Sequence, residues 1–237
     1  MKILLSGATG KVGREIERLA RDDDALEISG RASSQAFFAD GDGGDVVIDF
    51  SRPELCARGL GFARERRIPL VVGTTGIDAG LQAAIERSSD EIAICQAANF
   101  SLGVNVLLEL VERAAAGLPE AFEIEISELH HRWKVDAPSG TALALGRAAA
   151  EARGLDHDRV AKFDRGGARR QDEIGYQAAR GGDVAGEHTV YFLGDGERLE
   201  LTHRVTERAI FARGAVHAAR WLVGQPAGLY SMRDVLN

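Results

Sequence analysis

Apolar residues along this chain change their period several times, and the changes mark its elements. Lys2–Ser6 is an apolar run of strand length, Val12, Ile16, Leu19 and Ala20 recur at helical spacing over Lys11–Arg21, and Leu26–Ser29 reads as a second strand. The rhythm continues with a buried strand at Asp45–Phe50, a helix at Pro53–Arg66, a strand at Pro69–Gly73, a helix at Ala79–Ser88 and a strand at Ile92–Gln96. Strands alternating with helices of this length predict a parallel, doubly wound α/β sheet.

From Phe100 the pattern differs. A long helix from Leu102 to about Ala116 precedes Glu123–Leu129, where polar and apolar residues alternate as in a strand with one wet face. A helix over Gly140–Arg153 follows, then the Gly- and Arg-rich stretch Phe163–Glu187 with little periodicity. Two alternating strands, His188–Leu193 and Arg198–Val205, are joined at Gly194-Asp195-Gly196, a hairpin signal. Ala209–Leu222 is an amphipathic helix, and Met232–Leu236 is a short tail expected to pack back on the first domain. This divides the chain into a first domain of residues 1–99 and 211–237 and a smaller α+β domain of residues 100–210.

Composition narrows the classes. With 237 residues, 45% of them hydrophobic, the chain is long enough for one large core or two modest ones. The opening apolar run is too short for a signal peptide and no later segment reaches membrane-spanning length, so a cytoplasmic address is expected. A net charge of −7 argues against nucleic acid or an anionic membrane as a partner. Cys56 and Cys95 stand in apolar surroundings without a C-x-x-C or a nearby His, which predicts core residues and no metal site.

Gly7-Ala8-Thr9-Gly10-Lys11-Val12-Gly13 lies between the first strand and the first helix. There a dinucleotide fold presents backbone N–H groups and a helix dipole to a pyrophosphate. Such a turn also occurs as a purely structural connection, and the G-x-x-G-x-x-G spacing is not the standard one. Its place at the head of a βαβ series favours a dinucleotide cofactor and a Rossmann-type domain. Gly73-Thr74-Thr75-Gly76 and Ala97-Ala98-Asn99-Phe100-Ser101 leave later strands of the same sheet and are expected on the same edge, as is Phe50. Where the second strand ends, Gly30, Arg31, Ser33 and Ser34 offer a cation and two hydroxyls rather than a carboxylate. That predicts NADPH as the preferred cofactor, with NADH possible and Arg31 on the 2′-phosphate.

The densest chemistry is Glu128-Leu129-His130-His131-Arg132-Trp133-Lys134-Val135-Asp136-Ala137-Pro138-Ser139-Gly140-Thr141-Ala142. Four cationic or protonatable side chains within five positions precede a helix start, an arrangement suited to a small dicarboxylate. Histidine can also pass a proton near neutrality.

This string resembles the signature of the dihydrodipicolinate (4-hydroxy-tetrahydrodipicolinate) reductase family. Asp49-Phe50-Ser51, Gly73–Gly76, Ala98–Ser101 with Gly103-Val104-Asn105, Gly186-Glu187-His188-Thr189 and Phe211-Ala212-x-Gly214-Ala215 match it too. The resemblance implies an NAD(P)H-dependent reduction of a cyclic, unsaturated dicarboxylate in diaminopimelate and lysine biosynthesis. It implies His130 as proton donor, Lys134 assisting protonation or holding substrate, and His131 with the N–H groups of Gly140 and Thr141 on the carboxylates. It further implies a homotetramer joined through the smaller, substrate-binding and oligomerisation domain. The chain departs from the family pattern in a compressed segment, Ser33–Gly44, and in having no acidic residue over Ser29–Ser34.

Two other classes share parts of the pattern: a different nicotinamide-dependent dehydrogenase of related build, and a non-catalytic NAD(P)-binding sensor. Neither needs the whole His130–Ala142 string. His188 and His203 are expected as structural histidines of strands, His157 and His217 as surface residues, and Arg169-Arg170 as part of a solvated loop.

Overall fold

The computed structural model describes residues 1–207 and 209–237. The chain forms two compact units, Met1–Leu102 with Ala209–Asn237, and Gly103–Arg208.

The first unit contains β1 (Lys2–Ser6), α1 (Lys11–Asp22), β2 (Glu27–Ala32), β3 (Val46–Asp49), α2 (Pro53–Arg66), β4 (Leu70–Val72), α3 (Ala79–Ser88) and β5 (Ala93–Gln96). Its six-stranded sheet, completed by β11 (Gly228–Tyr230), runs β11-β5-β4-β3-β1-β2, and every pairing in it is parallel. The uninterrupted apolar residues of β1, β3 and β4 follow from that position, because a sheet covered on both faces buries both sides of each strand. One face packs Ile3, Leu5, Ile48 and Val71 against α1 and the helix α7 (Ala209–Leu222), and the other packs Leu4, Val47, Leu70 and Val72 against α2 and α3.

Three features of this unit differ from expectation. Strand β2 runs on to Ala32 in register with Ser6, so Arg31 lies inside the strand rather than after it. Gly30 is a mid-strand residue because a Cβ there would meet the Leu4 side chain at 2.6 Å. An additional strand, β11 (Gly228–Tyr230), extends the sheet beside β5, too short to carry a periodic signal. The closing helix α8 (Met232–Leu236) does dock on this unit, through buried Met232 and Val235.

The second unit is opened by α4 (Leu102–Gly117), followed by β6 (Glu123–His130), α5 (Gly140–Ala152), α6 (His157–Val160), β7 (Ala161–Lys162), β8 (Ile174–Arg180), β9 (Gly186–Gly194) and β10 (Glu197–Val205). The chain then returns to the first unit through α7 (Ala209–Leu222). The sheet order is β10-β9-β6-β8-β7, with β6 parallel to β8 and antiparallel to β9. Ile124, Ile126, Ile174, Tyr176, Val190 and Phe192 form its core with α4 and α5. Each fully buried large side chain contributes roughly 1.5–3 kcal/mol.

The stretch expected to lack periodicity contains β8, and it covers the face of β6 that the alternation marked as wet. Arg165 Nη2 and Arg169 Nε donate to Glu125 Oε1 at 2.6 and 3.3 Å, leaving Glu125 buried. Arg169 is therefore an anchor rather than a solvated loop residue. A polar side of a strand can be buried when charges of opposite sign meet it, which a hydropathy pattern does not register. His157 likewise is buried, not at the surface, with Nε2 2.7 Å from the Tyr176 hydroxyl.

Candidate functional site

In the first unit the sheet reverses its winding between β1 and β3, the switch point where open α/β sheets bind ligands beyond their carboxyl ends. A cleft of about 500 Å³ lies there, lined by Gly7, Thr9 and Gly10 after β1, Ser33 and Ser34 after β2, and residues from Phe50 to Arg58. The glycine spacing has a steric origin. Gly7 has φ +82°, and a Cβ on it would stand 2.2 Å from the Phe50 carbonyl oxygen, while a Cβ on Gly13 would stand 2.3 Å from the Gly7 oxygen. The N–H groups of Gly7, Ala8 and Gly10 close the loop on Ala32 and Gly7 carbonyls. Those of Thr9, Lys11 and Val12 remain at the start of α1, where a helix has no internal acceptor for them.

Phe50 packs in a slot. Its ring meets Phe100 at a centroid distance of 5.3 Å, and a Cβ on Gly73 would lie 2.4 Å from its edge. Thr74 Oγ1 donates to Asp49 and accepts from the Ser51 N–H at 2.8 Å, so the loops after β3 and β4 are tied together around a buried carboxylate. Nothing in the apolar pattern of β3 marks Asp49 for this role, though Asp49-Phe50-Ser51 belongs to the family match. Thr75 and Ala98 are exposed on the same edge, with Ala97 and Asn99 half-buried. This cradle of close backbone approaches fits a dinucleotide. Arg31 is placed elsewhere: Nε donates to Glu17 Oε1 at 2.6 Å beside a second, 220 Å³ cleft against α1.

In the second unit the alternation of β6 puts Ile124, Ile126, Glu128 and His130 on one face. The first two lie in the core with α5, and the last two continue the row to the strand's end, where chemistry replaces packing. Glu128 is buried, and its two oxygens take four bonds. Oε2 lies 2.6 Å from His130 Nδ1 and 2.7 Å from Arg180 Nη1; Oε1 accepts from Arg180 Nη2 at 2.7 Å and from the Ser139 N–H at 3.0 Å. Burial opposes its ionisation, yet the bonds from Arg180, His130 and Ser139 outweigh that and hold the carboxyl below its usual range. Ser139 caps α5 by accepting from the Ala142 N–H, and its Oγ is 2.9 Å from His188 Nε2. Gly140 and Thr141 form the first turn of that helix.

Lys134, half-buried, donates from Nζ to both carboxylate oxygens of Asp136 at 2.8 Å, and this keeps the exposed Asp136 below the usual carboxylate range. The His131 N–H donates to the Val184 carbonyl at 2.7 Å, and its ring lies 5.8 Å from that of exposed Trp133. His130, His131, Lys134, Gly140 and Thr141 thus all belong to the end of β6, the turn after it and the start of α5. His188, expected as a structural histidine, is buried against Ser139, whereas Glu128 and Ser139, though within the string, and Arg180 were not singled out for a role. Glu128 could have been, since two residues along a strand share a face; Arg180 reaches the site only through the unforeseen parallel pairing of β8.

Comparison with known proteins places the chain in a family. The family models for the N-terminus and the C-terminus of dihydrodipicolinate reductase match residues 31–100 and 103–236. A 4-hydroxy-tetrahydrodipicolinate reductase from Anaeromyxobacter sp. is 43% identical over 261 residues, covering 100% of this chain and 97% of that protein. One from Pseudoalteromonas translucida is 51% identical over 196 residues, 81% of this chain and 73% of the relative. Among solved structures, the dipicolinate-bound dihydrodipicolinate reductase from Paenisporosarcina sp. TG-14 shares the fold, with a TM-score of 0.77 at 21% identity, covering 98% of this chain and 97% of that one.

Proposed function

The chain belongs to the dihydrodipicolinate reductase family, and from that premise we propose that it reduces 4-hydroxy-tetrahydrodipicolinate to tetrahydrodipicolinate with NAD(P)H, in diaminopimelate and lysine biosynthesis. The observation that carries the reading is a buried histidine, His130, held by a carboxylate beside Lys134 and the capped start of α5. A neutral nucleotide sensor has no use for that arrangement.

Gly7–Val12 would hold the cofactor's pyrophosphate, with Phe50, Gly73–Thr75 and Ala97–Phe100 lining the same edge of the sheet. When bound, the reduced nicotinamide supplies the hydride. Hydride addition leaves carbanion-like charge on the substrate ring, which His130 Nε2 quenches with a proton; solvent then restores that proton. Lys134 stabilises the charge where it develops or holds a carboxylate, exchanging its exposed partner Asp136 for the substrate. His131 and the N–H groups of Gly140 and Thr141 hold the carboxylates.

NADPH is the preferred cofactor, with Arg31 turning from Glu17 to the 2′-phosphate beside Ser33 and Ser34. That exchange is cheap because exposed ion pairs contribute about 0–1 kcal/mol. The protein works in the cytoplasm as a homotetramer, for which the long, largely exposed edge strand β10 supplies a face. Among the described residues no helix is long and apolar enough to cross a membrane.

A coupled assay decides the main reading: pyruvate, aspartate semialdehyde and the upstream synthase are supplied, and nicotinamide absorbance is followed. Oxidation of NADPH is expected, with His130→Gln lowering the rate roughly 10²-fold while cofactor binding persists. No oxidation would return the choice to another dehydrogenase or a sensor.

A further inference from the structure

We infer that Glu128 is the positioning residue for the proton donor, fixing His130 with its proton on Nδ1 and Nε2 toward the reacting side, and that Arg180 holds Glu128 in place for that task. The inference rests on the reading of His130 as donor and adds how its ring is set.

The geometry leaves one arrangement. Glu128 is ionised and can only accept, and each of its oxygens already receives two bonds, one of them from His130 Nδ1. A hydrogen is therefore on Nδ1 whether the ring is neutral or charged. The second proton comes and goes on Nε2. Beside that nitrogen the chain has Gly186, where a Cβ would stand 2.9 Å from Nε2, so an alanine would fill the space next to it. Arg180, opposite His130 in the β6–β8 register, closes the two-pronged pair from the neighbouring strand and also donates to the Asp136 carbonyl at 2.6 Å. The Ser139 N–H joins the same carboxylate to the cap of α5. One buried side chain thus sets the donor's tautomer and ties it to the helix start expected to grip the substrate. A carboxylate at Nδ1 does the same work in other acid–base histidines, where its replacement by an amide leaves the fold intact and lowers turnover.

The test pairs a spectrum with kinetics. Glu128→Gln alone would leave the Arg180 guanidinium uncompensated, so Glu128→Gln/Arg180→Gln, which removes both charges, is measured beside it. Long-range proton–nitrogen correlation spectra of ¹⁵N-labelled protein, with His130 assigned by its loss in His130→Gln, should show Nδ1 protonated and Nε2 bare in the neutral wild-type ring. In the folded double variant that preference should be lost, and kcat should fall roughly 10²-fold or more with KM and cofactor affinity changed only a few-fold. Wild-type protein with Nε2 protonated in the neutral ring, or a folded double variant with wild-type kcat, overturns the proposal. His130→Gln separates the two failures: normal turnover there overturns the donor reading, whereas lost turnover there with normal turnover in the double variant overturns only the role of Glu128.

Discussion

The Ser139 hydroxyl lies 2.9 Å from His188 Nε2 and its oxygen accepts the Ala142 N–H, so the capped start of α5 is tied to a buried imidazole. Burial, then the neighbouring His130, pushes His188 down to about 4 from 6.5, with Glu128 opposing. The consequence for stability has a definite sign. Above 6.5 neither the folded nor the unfolded chain binds a proton there; below it the unfolded chain does and the folded one does not until about 4. Stability should therefore fall as pH drops through that window, by on the order of 3 kcal/mol. Denaturant midpoints across it should fall less steeply for His188→Gln, and equal slopes would refute the assignment.

The cradle around Lys134 makes its own prediction. Its partner Asp136 is exposed, so a carboxylate ligand can take that place at little cost. Pyridine-2,6-dicarboxylate should bind in the presence of reduced cofactor and compete with substrate. Lys134→Ala should weaken it by roughly 10-fold or more, as loss of a charge-assisted bond does. Calorimetry showing equal affinity in wild type and variant would remove Lys134 from the cradle.

Gly7→Ala tests the phosphate loop. The substitution needs a residue other than glycine at φ +82° and brings a methyl group 2.2 Å from the Phe50 carbonyl oxygen, which is backbone and cannot rotate away. A cost of about 1–3 kcal/mol for the conformation alone is expected, together with loss of NADPH binding as the β1 and β3 loops are pushed apart. Wild-type cofactor affinity in a folded variant would mean that the loop does not close on the dinucleotide.

The first unit was legible in the sequence because its strands are buried on both faces and its helices keep one stripe, so each element announces itself locally. The second unit was less so. β8 holds Gly175 and little apolar alternation, yet it is an interior strand between β6 and β7, paired in parallel with β6 through contacts far apart in sequence. Glu125 looked like the wet side of a strand and is buried by Arg165 and Arg169, which a pattern of single-residue polarity cannot foresee. At the site, the His130–Thr141 string was visible as a string. Glu128, just ahead of it, carried no role and His188 stood out only as a structural histidine; their roles, like that of Arg180, come from strand register.

The position of Arg31 leads to the last prediction. Strand β2 carries it to the second-last pair of the β1 register, with its side chain 57% exposed and on Glu17, while Ser33 and Ser34 line the larger cleft. NADPH would bring a 2′-phosphate to the end of β2, where no carboxylate among Ser29–Ser34 would repel it. If Arg31 leaves Glu17 for that phosphate, it exchanges a solvent-screened pair for a charge-assisted one worth roughly 1.5–3 kcal/mol, or about 10- to 150-fold in kcat/KM. Arg31→Ala should lose that factor with NADPH and nothing with NADH. Glu17→Gln, which frees the arginine beforehand, should leave NADH unchanged and improve NADPH a few-fold at most, since the pair it breaks is weak. An equal loss with both cofactors in Arg31→Ala would show that Arg31 serves the β2–α1 packing alone, and that the choice of cofactor rests on Ser33, Ser34 and the absence of an acid.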